Sequence, residues 1–390
     1  MKYNFDKIID RSGTDTIKLG RLKDMFGRED LMPLWVADMD FLSPPEITEA
    51  LQKRTEHGVF GYTLPSEGYY KSIINWLSSQ HNYNVNKEEI TFVPGVVKAF
   101  AFAMDAFTKE GDNIIIQPPV YHPFRMVTED LKRKVVNNPL ILEDGDYKID
   151  IEGLRKIISE KECKILIFCS PHNPVGRVWS QEELRELAEI CYDNNILVVS
   201  DEIHSDFALF GNKHIPFATV SEKARENSIT LMAPSKTFNI AGIVSSFALI
   251  HNKDIQQKYL DFLAPRELDK GTIYAYTATE AAYSQGGVWL EEAIDYIENN
   301  ILFVQNYLEQ YIPQIEVINP ESMFLLWLDC RKLGLSQNDL VSLFVDKANL
   351  ALNNGMMFGK EGNGFMRLNV GVPKSVLNEA MNRLRDAINN

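Results

Sequence analysis

Cysteine is scarce in this 390-residue chain, which holds only Cys163, Cys169, Cys191 and Cys330. None forms a C-x-x-C pair and none stands at zinc-ligand spacing from a histidine, which removes the usual zinc and redox motifs. Their neighbours are apolar or helical, so buried, reduced thiols and no metal are expected. Long apolar runs are missing too. No stretch reaches the length that spans a bilayer, and the opening MKYNFDKIIDRSGTDTIK lacks the apolar segment of a secretory leader. A cytoplasmic protein with no membrane partner is the expectation. Basic residues are outnumbered: 40 Lys+Arg against 54 Asp+Glu leave a net charge of −14, which argues against nucleic acid as a partner. Internal repeats and low-complexity linkers are also absent.

What is present is a globular composition, 45% hydrophobic, in a chain too long for one compact core. Short β-branched runs alternate with helix-length stretches through the middle of the sequence. Strand candidates are EITFV near Ile90, NIIIQ near Ile115, KILIFC near Ile167, ILVVS near Val198, SITLM near Thr230 and SSFALI near Phe247. The helical stretch from Ser180 repeats its apolar residues at Leu184, Leu187 and Ile190, with acids in its first turn. This rhythm predicts an α/β fold, a mostly parallel (mixed) sheet with helices on both faces. From about Gly287 a long helical stretch and short strands around Val317, Phe324–Leu328 and Met366–Val370 predict a smaller α+β domain, closed by a helix over 373–388. The expected division is 46–286 for the large domain, 287–390 for the small one, and 1–45 as a segment packing against the latter.

Four polar clusters each follow a strand candidate: Pro94-Gly95-Val96-Val97, Pro171-His172-Asn173-Pro174-Val175-Gly176, Asp201-Glu202-Ile203-His204 and Ser235-Lys236-Thr237. Open α/β sheets bind ligands beyond the carboxyl ends of their strands, so all four should share one rim. The set, over nearly the whole chain, resembles the fold-type I pyridoxal 5′-phosphate (PLP) enzymes, the aspartate aminotransferase superfamily. Leu34-Trp35-Val36-Ala37-Asp38-Met39-Asp40-Phe41 and Ser235-Lys236-Thr237-Phe238-Asn239-Ile240-Ala241-Gly242 are similar to the MalY/PatB-type carbon–sulfur lyases, the cystathionine β-lyases.

The resemblance implies that Lys236 holds the PLP aldehyde as an imine and later acts as a base, which requires an amine whose pKa is brought down by burial or nearby positive charge. Asp201, after an apolar run, would keep the ring nitrogen protonated. Glu202, His122 and His172 read as structural. Asn173 resembles the asparagine that bonds the ring hydroxyl oxygen, and His204 is a candidate to orient Asp201 or that ring edge. Tyr121 matches the aromatic residue stacked on the ring. Gly95, Val96 and Val97 open a helix candidate whose free amides suit a phosphate, with Ser235 adding its hydroxyl. Tyr62 resembles the tyrosine that reaches the phosphate of a neighbouring subunit, which implies a homodimer with a shared active site. Where many aminotransferases carry a phosphate-binding arginine, this chain has Val244. Arg367 is the candidate for the substrate α-carboxylate, fitted by two parallel hydrogen bonds. Ala37 aligns with a glycine whose backbone contacts the same carboxylate.

These residues imply a small amino-acid substrate and loss of its α-proton to Lys236. The MalY/PatB-like segments favour β-elimination, hence a lyase cleaving L-cystathionine or other cysteine S-conjugates to a thiol, pyruvate and ammonia. The alternative is an aminotransferase for neutral or aromatic amino acids, and a third reading adds regulatory binding of a transcription regulator. Side-chain specificity would be set by loops, with Asp269–Tyr276 a candidate.

Overall fold

The computed structural model describes residues 2–389. In chain order, the elements that frame the central sheet are β1 (Ile90–Val93), α1 (Val96–Phe107), β2 (Asn113–Ile116), β3 (Lys134–Asn137) and β4 (Cys163–Cys169). They continue with α2 (Gln181–Asp193), β5 (Leu197–Asp201), β6 (Ser228–Met232), the one-turn α3 (Pro234–Thr237) and β7 (Ser246–Leu249). The seven strands lie in the order β1-β7-β6-β5-β4-β2-β3. Only β7 runs against its neighbours, which makes the sheet mixed but mostly parallel.

Strands β1, β5, β6 and β7 are buried at every residue, as strands covered on both faces must be. On one face, α1 contributes Ala99, Phe100, Ala103 and Met104, the i, i+3, i+4 stripe of an amphipathic helix. On the other, α2 buries Leu184, Leu187, Ala188 and Cys191. Its start is fixed by a capping box: Ser180 Oγ accepts from the Glu183 N–H and Glu183 Oε2 accepts from the Ser180 N–H. Burial of each apolar side chain is worth about 1.5–3 kcal/mol, enough to anchor strand ends that carry costly polar groups. All four cysteines are free and buried.

Beyond α4 (Gly287–Tyr311) comes a four-stranded antiparallel sheet in the order β8-β9-β11-β10: β8 is Glu316–Val317, β9 Leu325–Asp329, β10 Asn353–Asn354 and β11 Phe365–Asn369. The last helix is α5 (Lys374–Asn389). Early residues run beside this sheet. Met32–Pro33 pairs in parallel with Leu350–Ala351, and the Asn369 N–H donates to the Leu34 carbonyl at 3.0 Å. Trp35 is buried among Leu22, Leu31, Val345 and Ala351. The segment 32–41 is thus led from the small sheet toward the rim of the large one.

Candidate active site

At the carboxyl-end rim lies a cavity of about 350 Å³. The β1–α1 turn brings Pro94, Gly95, Val96 and Val97, and the loop after β4 brings Asn173. Asp201, Ile203 and His204 come from the end of β5, Ser235 and Lys236 from α3, Tyr121 from the β2 loop, and Ala37 from the early segment. Ten of the candidate site residues singled out in the sequence therefore line one cavity. Arg367 adjoins them through Asn173, whose Oδ1 accepts from its Nη1 at 2.9 Å.

Lys236 is held by a single bond, Nζ to the Ala37 carbonyl at 2.6 Å. Burial brings its pKa down to about 8; Asp38 opposes that and Arg367 adds to it. An exposed lysine is almost wholly charged at neutral pH, so this displacement enlarges the neutral share by roughly a hundredfold or more. Across the cavity Asp201 is buried, its carboxylate accepting from the Ile203 N–H at 3.2 Å. Burial pushes its pKa up to about 7, against the pull of that bond and of Lys236. A desolvated carboxylate with so little compensation favours a cationic donor.

Arg367, at the centre of β11 opposite Trp327 and Asn353, is buried. Its Nη2 donates to the Asn353 Oδ1 at 2.6 Å and the Trp35 carbonyl at 3.0 Å, and its Nε has no partner. Phe358 lies under the guanidinium at 4.9 Å. Every acceptor around it is neutral, so burial brings its pKa down to about 10. A buried guanidinium ringed by neutral oxygens is built to take a carboxylate.

His204 is buried with its Nδ1 unpartnered, and burial holds its pKa well below the ordinary range, so it is neutral. Tyr121 has its phenol pushed up to about 12 by burial. His122 and His172 are likewise held neutral at about 4, and His172 Nε2 is bonded to the Pro119 carbonyl. Glu202 faces away from the cavity, accepting from Ser200, His214 and the Phe217 N–H.

Tyr62 and Ser235, both expected at a phosphate, differ in where the fold puts them. Tyr62 is fully exposed and lines a separate surface hollow with Phe60 and Tyr274, so in its own subunit it does not reach the cavity. Ser235 does line the cavity, but its hydroxyl donates to the Ser245 carbonyl at 3.2 Å. Several contributors went unforeseen. Lys98, at the start of α1, and Val244 both line the cavity, so a cation shares it with the position where an arginine is lacking. Asn353 meets Arg367 only through sheet register, and Asn-Asn-Gly reads in sequence as a turn.

The cavity fits pyridoxal phosphate on its own chemistry. It offers a half-buried amine of lowered pKa, an under-compensated carboxylate, and the first-turn amides of α1, which a helix leaves without internal partners. Gly95 precedes them at φ 109°, a conformation open to glycine, and a Cβ there would meet Val244 at 3.9 Å.

Comparison with known proteins agrees. The family model described as aminotransferase class I and II matches residues 29–384. The chain is 43% identical over 385 residues to the cystathionine beta-lyase PatB of Bacillus subtilis (strain 168), covering 99% of this chain and 100% of that protein. To the protein MalY of Escherichia coli (strain K12) it is 33% identical over 388 residues, 99% of each. The crystal structure of cystalysin from Treponema denticola, which contains a pyridoxal 5′-phosphate cofactor, superposes with a TM-score of 0.96 at 36% identity, covering 100% of this chain and 99% of that one.

Proposed function

The chain belongs to the aminotransferase class I and II family, and from that premise we propose a pyridoxal-phosphate-dependent carbon–sulfur β-lyase that cleaves L-cystathionine or a related cysteine S-conjugate to a thiol, pyruvate and ammonia. Lys236 carries the reading: a half-buried amine of lowered pKa that shares a cavity with Asp201 and feels the charge of Arg367. The likeness to PatB over the full length directs it toward β-elimination.

When bound, pyridoxal phosphate supplies an aldehyde for covalent attachment and a conjugated ring that accepts the electrons freed at the substrate α-carbon. Asp201 holds a proton on the ring nitrogen, an ion pair that its raised pKa favours. The α1 amides of Val96 and Val97, with Ser235 and Lys98, receive the phosphate. Tyr121 covers the ring and excludes water, while Asn173 and His204 serve its oxygen edge. Arg367, whose Nε has no partner, would take the substrate α-carboxylate and so orient the substrate in the cavity. Lys236 Nζ then removes the α-proton, and the thiolate leaves from the β-carbon.

We extend the proposal to a cytoplasmic homodimer with shared sites. Val59, Phe60, Tyr62 and Leu64 form an exposed apolar run, which a second copy would cover, placing Tyr62 at its neighbour's phosphate. The four unpaired thiols suit a reducing compartment. A single 44.5 kDa species on sedimentation would remove the dimer.

The enzymatic test is incubation of the purified holoenzyme with L-cystathionine and no keto acid. Continuous pyruvate release is expected. Product that forms only on addition of 2-oxoglutarate would make the protein a transferase instead.

A further inference from the structure

Between Trp35 and Phe41 the chain crosses from the small sheet to the lysine loop, and two asparagines grip it. Asn239, three residues after Lys236, donates from Nδ2 to the carbonyls of Met39 at 2.8 Å and Phe41 at 2.9 Å. Its Oδ1 accepts from the Met39 N–H at 2.9 Å. Asn369, at the end of β11, donates from Nδ2 to the carbonyls of Val36 at 2.6 Å and Asp38 at 2.7 Å, and its Oδ1 accepts from the Gly371 N–H. Each amide thus makes three bonds, and the donors and acceptors around it fix which way it faces. Outside the cavity, Arg11 and Lys18 both pair with Asp38 and Asp40, with Lys18 buried.

The gripped segment carries two carbonyls, two residues apart, that accept from the reactive groups. Trp35 accepts from Arg367 Nη2 and Ala37 accepts from Lys236 Nζ. A side-chain amide is a short, stiff tie: Asn369, from the arginine strand, holds the residues on either side of Ala37, and Asn239, from the lysine loop, holds the stretch that follows.

We propose that Asn239 and Asn369 are positioning residues, which hold the 35–41 segment so that its carbonyls set Lys236 and Arg367 at a fixed separation. The inference rests on the lyase reading for what that separation serves. A misplacement of about 1 Å in such an arrangement can cost about a hundredfold in rate. Asn239 itself lies at φ 56°, so Asn239→Ala would strain the backbone as well as remove the amide. Asn239→Gly keeps the left-handed conformation and removes only the side chain.

The experiment compares wild type with Asn239→Gly as full-length holoenzymes, by hydrogen exchange over residues 35–41, by circular dichroism in the cofactor's visible band, and by pyruvate release. Exchange at the Met39 amide is expected to rise, the visible band to change per mole of bound cofactor, and kcat to fall about 10- to 100-fold. Asn239→Asp, which keeps the acceptor but loses the donor, should fall between the two. Unchanged exchange overturns the grip; raised exchange with unaltered kcat and visible band overturns its role in positioning. A wild-type protein that takes no cofactor or releases no pyruvate would instead sink the lyase reading, and the exchange comparison would still decide the grip.

Discussion

Replacing Lys236 with methionine should make the cofactor-free protein more stable at pH 7. The lysine is half-buried, and desolvation of its amine brings the pKa from an ordinary 10.5 to about 8. A tenfold change in proton affinity is about 1.4 kcal/mol, so holding this ammonium in the fold costs about 3 kcal/mol. Methionine removes that cost and also the bond from Nζ to the Ala37 carbonyl, worth about 1 kcal/mol. The net gain is about 2 kcal/mol. The sign then depends on pH. A folded pKa below the unfolded one means that the unfolded chain binds more protons between the two values, so wild-type stability rises across that interval. The penalty is complete below pH 8 and gone above about 10.5, where only the lost hydrogen bond remains. The variant should therefore lead at pH 7, draw level as the amine deprotonates, and fall slightly behind at the alkaline end.

Urea denaturation of both cofactor-free proteins across that range measures the gap directly. Because only the difference is read, the alkaline titration of buried tyrosines such as Tyr83 and Tyr259 cancels. A variant no more stable than wild type at pH 7, or a gap that stays flat with pH, would refute the argument that Lys236 is charged against its surroundings.

Arg367→Lys keeps a positive charge but replaces the planar fork with a point donor, leaving Asn353 or Asn173 short of a bond. With about 1.5–3 kcal/mol lost with one charge-assisted bond, kcat/KM for pyruvate release should drop by about 10- to 100-fold, and an unchanged value would refute Arg367 as the carboxylate ligand. Asp201→Asn should weaken cofactor binding by about tenfold or more, as measured by equilibrium dialysis. It should also flatten the pH dependence of stability. The folded pKa of Asp201 is raised to about 7, so the folded wild type binds the extra proton and gains stability as pH falls from 7 toward 4. Thermal midpoints of the cofactor-free proteins that follow the same course would contradict this.

Much of the cavity was legible because each wall is a short cluster following a β-branched run. Position relative to a strand end is a local property, and it places Asp201 and Lys236 on one rim from sequence alone. The residues that escaped depend on distant pairing. Asn353 opposes Arg367 through the register of β10 against β11, and the carbonyls of Trp35 and Ala37 act through the backbone, which leaves no mark on residue type. Asn239 stood within a quoted motif without a role, since its partners lie about two hundred positions earlier. Lys98 was hidden by its place on a helix that reads as core-facing. Tyr62 needs a neighbouring chain before its position has meaning.

Asp201 and Arg367 are buried and Lys236 half-buried, each is displaced from its ordinary pKa, and each is bonded to neutral backbone or amide groups rather than to an opposite charge. A fold selected for stability alone would have paired them or replaced them with apolar side chains. Domains of this kind are stable by only about 5–15 kcal/mol, so three such groups are a large burden. The burden is tolerable because fully buried strands and their helices fix the rim independently of what it carries. It becomes useful when a ligand brings the missing partners: a ring nitrogen for the acid, an aldehyde for the amine and a carboxylate for the guanidinium. The energy withheld from folding is then available to hold the substrate in one orientation, which is why the positions of these three groups matter more than their number.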